Sequence, residues 1–199
     1  MIFLTNLIAH RGIWNKDIKD NSYEAIIRGL ESDKYIGIEC DIRVTKDSRF
    51  IIYHNALYKG NLVKNTLYKD MDNVALLEDI LKIKTDKIFL LEIKDSQMNI
   101  DKFLSILNKY KRNIYLMSFD NKIIERIKQR NGPYKLGVLN YILNSNSNYN
   151  YDFICLLDAV ATNLVVDNFK KRNIEIIIYG TIKLDKNLTY IIDDCKFNI

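Results

Sequence analysis

The stretch KIFLLEIK, residues 87–94, decides the fold. It is a short apolar run, and it stands between two segments of helical period, VALLEDILKI (74–83) and MNIDKFLSILNKY (98–110). An apolar strand bounded on both sides by amphipathic helices is the repeat of a parallel sheet, because only a helical crossover returns the chain to the same edge. Such a sheet is covered on both faces, so its strands need no polar alternation.

The same alternation continues outward in both directions. Upstream, FLTNLIA (3–9) reads as a strand, SYEAIIRGLES (22–32) as a helix and YIGIECDIRV (35–44) as a strand with two distinct faces, followed by a short strand in FIIYH (50–54). Downstream come the strand NIYLMSF (113–119), the helix NKIIERIKQR (121–130) ended by Asn131-Gly132-Pro133, and the strand YKLGVL (134–139). NYILNSNSNYNY (140–151) is polar and reads as a loop. DFICLL (152–157) or the adjacent DAVATN (158–163) supplies a strand, LVVDNFKKR (164–172) a helix and IEIIIYGTI (174–182) a strand. NLTYIID (187–193) reads as a last short helix and KFNI (196–199) as the closing strand.

With FIIYH set aside, this gives about eight strands in βα order, the count of a closed barrel. No glycine-rich phosphate-binding turn follows any strand, which weighs against an open nucleotide-binding sheet. A (β/α)8 barrel commonly takes about 250 residues with a lower limit near 200. At 199 residues the chain is expected to form one pared-down α/β barrel domain over 1–199, with a short last βα unit.

Composition narrows the function. The net charge of +5 is modest, and the lysines are scattered without interleaved aromatics, so no nucleic-acid partner is expected. Cys40, Cys155 and Cys195 are far apart and odd in number, which suits a reducing cytoplasm better than a disulfide framework. MIFLTNLIAH is too short for a signal segment, and no run approaches the ~18 apolar residues of a span, so stable membrane insertion is not expected.

Ionisable groups fall where a barrel keeps its active site, at the C-terminal ends of strands. The chain's two histidines are His10 in IAHRG (8–12) and His54 in FIIYH. Glu39 and Asp41 share one strand face, and so do Glu92 and Lys94. Singly, each has a plain reading: a packed imidazole, a solvated strand face, an ordinary ion pair. Together, three converging carboxylates oppose one another's ionisation unless a cation neutralises them, and an all-oxygen set suits Mg²⁺ or Ca²⁺. Two imidazoles offer a general acid and a general base, and the planar fork of Arg11 suits a phosphate.

The order IAHRG, DNSYEAI (20–26), GIECDIRVTKD (37–47), FIIYHN (50–55) and FLLEIK (89–94) closely resembles the glycerophosphodiester phosphodiesterase family. VALLEDIL (74–81), YLMSFDNKIIERIK (115–128) and IEIIIYGTIK (174–183) extend the resemblance more loosely. It implies a TIM barrel that hydrolyses glycerophosphodiesters to an alcohol and glycerol 3-phosphate with a divalent cation. By position it implies His10 and His54 as the acid–base pair, Glu39, Asp41 and Glu92 as metal ligands, Arg11 as the phosphate contact and Lys94 as a second cationic contact. The sphingomyelinase D-like lipid phosphodiesterases share this barrel and histidine pair, and a barrel retained for binding after loss of turnover is a third reading.

The chain departs from the family pattern in several places. Asn55 stands where the family has an aspartate after the second histidine, Asp20 where it has a glutamate, and Tyr179-Gly180-Thr181-Ile182 where it has W-T-V-N. The segment after Asn55 is short, and the terminal strand motif is reduced to DDCKFNI (193–199). The acid–base and ligand set is complete, while the parts that shape the substrate are pared back.

Overall fold

The structure is a computed structural model, and it describes residues 6–141, 149–181, 183–184 and 188–196. In chain order the elements are β1 (Asn6–His10), α1 (Tyr23–Glu31), β2 (Gly37–Val44), β3 (Phe50–Ile52), β4 (Leu57–Tyr58), β5 (Asn61–Leu62), α2 (Leu77–Leu81) and β6 (Ile88–Ile93). Then follow α3 (Ile100–Leu107), β7 (Asn113–Ser118), α4 (Asn121–Lys128), β8 (Lys135–Asn140), β9 (Phe153–Leu157), α5 (Asn163–Lys171), β10 (Glu175–Tyr179) and β11 (Thr189–Ile192).

Eight of these strands pair in parallel in the order β1-β2-β6-β7-β8-β9-β10-β11, and β11 pairs back to β1, so the sheet closes. This is the expected (β/α)8 barrel. β3 lies outside the ring and pairs antiparallel to the end of β2, with Ile42 opposite Ile52. β4 and β5 form a small hairpin over the side cluster Ile51, Tyr58, Val63, Met71 and Val74.

Two apolar layers hold the barrel together. Ile8, Leu90, Tyr115, Met117, Leu139, Phe153, Cys155, Ile177 and Ile191 fill its interior. Alternate residues of the same strands, among them Ala9, Ile38, Cys40, Leu91, Leu116, Ile154 and Ile178, pack outward against the helices. Being covered on both sides explains why KIFLLEIK lacks alternation. The helices are short and locally specified: Ser22, Asn99, Asp120 and Thr162 each accept a backbone N–H at the start of α1, α3, α4 and α5.

The end of the chain corrects the sequence reading. The eighth strand is Thr189–Ile192, within the segment expected to be a helix, and KFNI reaches beyond the described residues after Lys196. All four residues of this strand are buried, and so short an apolar run carries no period that separates strand from helix. The sixth strand is FICLL, whereas Asp158–Val160 is a turn of 3-10 helix. Most of the asparagine-rich stretch lies outside the described residues. Among the described residues, no helix is long and apolar enough to cross a membrane.

Candidate active site

The C-terminal mouth of the barrel is built by turns that the local sequence dictates. β1 ends at His10, and the next two residues take left-handed backbone, Arg11 at φ 57° and Gly12 at φ 78°. A Cβ on Gly12 would stand 2.3 Å from the carbonyl oxygen of Ala25, so only glycine lets this turn press against α1. The turn aims the Arg11 backbone N–H at Glu39 Oε2, 3.2 Å away.

Three consecutive residues before α1 each do a different job. Asp20 accepts from Arg11 Nη1 at 2.8 Å. Asn21 clamps Asp41 twice, its Nδ2 donating to Oδ2 at 2.7 Å and its Oδ1 accepting the Asp41 backbone N–H at 3.2 Å. Ser22 caps the helix.

Glu39 and Asp41 share the polar face of β2, and that face turns out to be the barrel interior rather than a solvated one. Both are buried, at 2% and 1% exposure, and Glu92 of β6 joins them at 6%. The register sets Asp41 beside Glu92 across the β2–β6 pair. One carboxylate oxygen from each of the three acids lies within 4.8 Å of the others. Lys94 Nζ reaches Glu92 Oε1 at 2.6 Å and Asp41 Oδ1 at 3.0 Å.

Charge is distributed unevenly over this cluster. Burial pushes the Glu39 carboxyl well above its ordinary range, and repulsion from Asp41 and Glu92 adds to it. Burial raises Glu92 as well, against the pull of Lys94. Asp41 is held below its ordinary value, because Lys94, the Asn21 hydrogen bond and Arg11 outweigh its burial. Three acids therefore share two cations, one of which, Arg11, is also paired with Asp20. Glu39 is the group left short of positive charge. The donor set is all oxygen, buried and under-neutralised, and it fits a hard divalent cation.

Both imidazoles lie near this cluster. His10 Nε2 is 3.8 Å from Glu39 Oε2, and its Nδ1 lies 2.5 Å from Asp193 Oδ1, just beyond β11. His54 lies two residues beyond β3, close enough to feel the charges of Asp41, Lys94 and Arg11, with Nδ1 3.1 Å from Asn55 Oδ1. Burial moves its pKa down. Arg11 Nε is buried 3.3 Å from Asp41 Oδ2 without a hydrogen bond to it.

The barrel superposes on several solved structures. A glycerophosphodiester phosphodiesterase of Thermotoga maritima superposes with a TM-score of 0.80 over 96% of this chain and 96% of its own, at 20% identity. One from Parabacteroides distasonis gives 0.80 over 97% and 94%, at 19% identity. A phosphodiesterase of Oleispira antarctica, solved with its product sn-glycerol-3-phosphate, gives 0.79 over 96% and 94%, at 15% identity. This is the glycerophosphodiester phosphodiesterase fold.

In sequence, no family model matches the chain. The uncharacterized protein YqiK of Bacillus subtilis (strain 168) is 25% identical over 184 residues, which is 81% of this chain and 65% of that protein. The chain thus spans just under two thirds of that relative's length.

On this glycerophosphodiester phosphodiesterase-like barrel, all seven residues singled out from sequence meet at one mouth: His10, Arg11, Glu39, Asp41, His54, Glu92 and Lys94. Three partners were given no role from sequence. Asp20 and Asn21 stand in the DNSYEAI segment that carries part of the resemblance, with Asp20 noted only as a departure from the family's glutamate. Asp193 reaches His10 across 183 positions, and no spacing rule signals such a pair.

Proposed function

We propose that this chain is a metal-dependent phosphoric diester hydrolase that cleaves glycerophosphodiesters into an alcohol and glycerol 3-phosphate. The observation that carries the reading is the convergence of two imidazoles, three buried carboxylates and the Arg11 and Lys94 cations at one barrel mouth. The product bound in the Oleispira antarctica structure has the same chemistry and supports a small-molecule substrate. The three free cysteines suit a cytoplasmic setting.

Glu39, Asp41 and Glu92 would hold the divalent ion, and when bound it would supply positive charge against the developing phosphorane. Arg11 offers its remaining N–H donors to a phosphate oxygen, which Asp20 keeps aimed from behind. His54 faces the oxygen of an amide, so its Nδ1 donates and Nε2 keeps a lone pair to take a proton; burial, which moves its pKa down, favours that neutral form. The proton comes from the nucleophile: water, which gives glycerol 3-phosphate directly, or the neighbouring glycerol hydroxyl, which gives a cyclic phosphate that a water then opens to glycerol 3-phosphate. His10, backed by the Asp193 carboxylate, is the group placed to carry a proton to the departing alkoxide as the P–O bond breaks.

The test is incubation of the purified protein with glycerophosphocholine and Mg²⁺ or Ca²⁺, followed by phosphorus NMR. Glycerol 3-phosphate should appear, and His10→Ala and His54→Ala should each lower the rate by roughly 10²–10⁴. Phosphocholine as the product, or no product with either ion, would overturn the reading.

A further inference from the structure

His54 reaches the mouth without a barrel strand beneath it. β3, which leads to it, has three residues and ends its pairing at Ile52, opposite Ile42. The Tyr53 N–H then donates to the Asp41 carbonyl at 2.9 Å, and among the described residues this is the last backbone bond between the segment and β2. What holds the next residue is a side chain: Arg43 Nε donates to the His54 carbonyl at 2.9 Å.

Arg43 follows Glu39 and Asp41 on one face of β2. Lys94 and Arg11 reach the acids of that face, whereas Arg43 is paired with Asp95. Arg43 Nη1 donates to Asp95 Oδ1 at 2.7 Å, and Asp95 Oδ2 accepts the Val44 N–H at 2.8 Å. Asp95, two residues beyond β6, thus grips both the guanidinium and the β2 backbone next to it. The two side chains are 14% and 26% exposed, so the pair is largely shielded from water.

We propose that Arg43, braced by Asp95, is a positioning residue that sets the place of the His54 imidazole beside the acid cluster. This role rests on the hydrolytic reading above for what His54 does there.

Two features call for such a tether. The ring's own partner is Asn55 Oδ1 at 3.1 Å, a neutral amide on the adjacent residue. It can orient the ring, but it moves with His54 and cannot fix where the backbone carries it. A proton-transfer group also tolerates little displacement, since an error of about 1 Å can cost on the order of 10²-fold in rate. A guanidinium suits the task because its planar fork donates in two directions at fixed geometry. A lysine ammonium keeps the charge and loses the fork.

The experiment combines kinetics on glycerophosphocholine with carbon–proton NMR of the two imidazoles, in wild type, Arg43→Lys, Asp95→Asn and the double variant. Arg43→Lys should lower kcat by about 10- to 100-fold and leave KM near the wild-type value. The double variant should be no slower than Arg43→Lys, because both changes cut one tether. In Arg43→Lys the His54 ring signals, assigned by their loss in His54→Ala, should shift and narrow as the ring gains freedom. Those of His10 should stay in place, which reports an intact barrel. A raised KM with unchanged kcat would make Arg43 a substrate contact and overturn the tether, and so would full activity in Arg43→Lys.

The imidazole signals keep the two readings apart. If wild type cleaves no ester but Arg43→Lys still frees the His54 ring, the hydrolytic reading fails and the tether stands. If the His54 signals are the same in wild type and Arg43→Lys, the tether fails whatever the catalytic result.

Discussion

His10 and Asp193 lie 183 residues apart and meet at 2.5 Å, Nδ1 to Oδ1, because β11 closes the barrel against β1. The carboxylate's second oxygen is held by Lys196 at 2.5 Å, so the acceptor is fixed from both sides. This contact decides which ring nitrogen of His10 faces the mouth: Nδ1 is engaged, and Nε2 points towards Glu39. In the proposed hydrolysis Asp193 is therefore a positioning residue. Asp193→Asn should lower kcat on a glycerophosphodiester by about 10- to 100-fold with little change in KM, as expected for an orienting partner. Steady-state kinetics check this, and an unchanged kcat would refute it.

The same contact makes a prediction about acid stability. Burial alone would raise the Asp193 carboxyl, but hydrogen bonds from His10 and Lys196 hold it down at about 2. A carboxylate whose pKa is lower in the folded than in the unfolded chain stabilises the fold above its unfolded value, near 4, and that contribution is lost as pH falls through its folded value. Wild type should thus exceed Asp193→Asn by roughly 1–2 kcal/mol at neutral pH, and the gap should close near pH 2. Urea denaturation of both proteins between pH 7 and pH 2 tests this. A gap that does not change with pH would assign the effect to packing.

Backbone geometry at the first turn carries its own cost. The positive φ of Gly12 and the 2.3 Å approach of any added Cβ to Ala25 O leave no room for a side chain. Gly12→Ala should destabilise the fold by at least ~2 kcal/mol and displace Arg11, which makes its backbone contact to Glu39 from the same turn. A denaturation midpoint equal to wild type would contradict this account of the turn.

Much of this was legible in the sequence, for physical reasons. Strands such as KIFLLEIK are buried on both faces, and their apolar runs alternate with helical periods long enough to recognise. The two-residue period of YIGIECDIRV correctly put Glu39 and Asp41 on one face. A solvated face was one of the two readings of that pair; the face is the barrel interior, and both acids are buried there.

What was not legible depends on closure or on brevity. Thr189–Ile192 is too short to show a period, so its strand appears only when it pairs with Leu7 and its neighbours. The His10–Asp193 pair exists only once the ring is closed. His54 sits on no barrel strand, and it reaches the site because β3 folds back antiparallel on β2.

The acid cluster leads to the most direct test. Glu39 is buried beside Asp41 and Glu92 with too little positive charge around it, an arrangement that costs stability and that a divalent cation would relieve. The decisive measurement is the initial rate of glycerol 3-phosphate release from glycerophosphocholine, after chelation and again after Mg²⁺ or Ca²⁺ is returned, in wild type and in Glu39→Gln. The account predicts that the wild-type rate vanishes with chelator and returns with the ion, and that Glu39→Gln shows no such recovery while staying folded. A rate indifferent to chelation, or a Glu39→Gln protein that responds to the ion as wild type does, would contradict it.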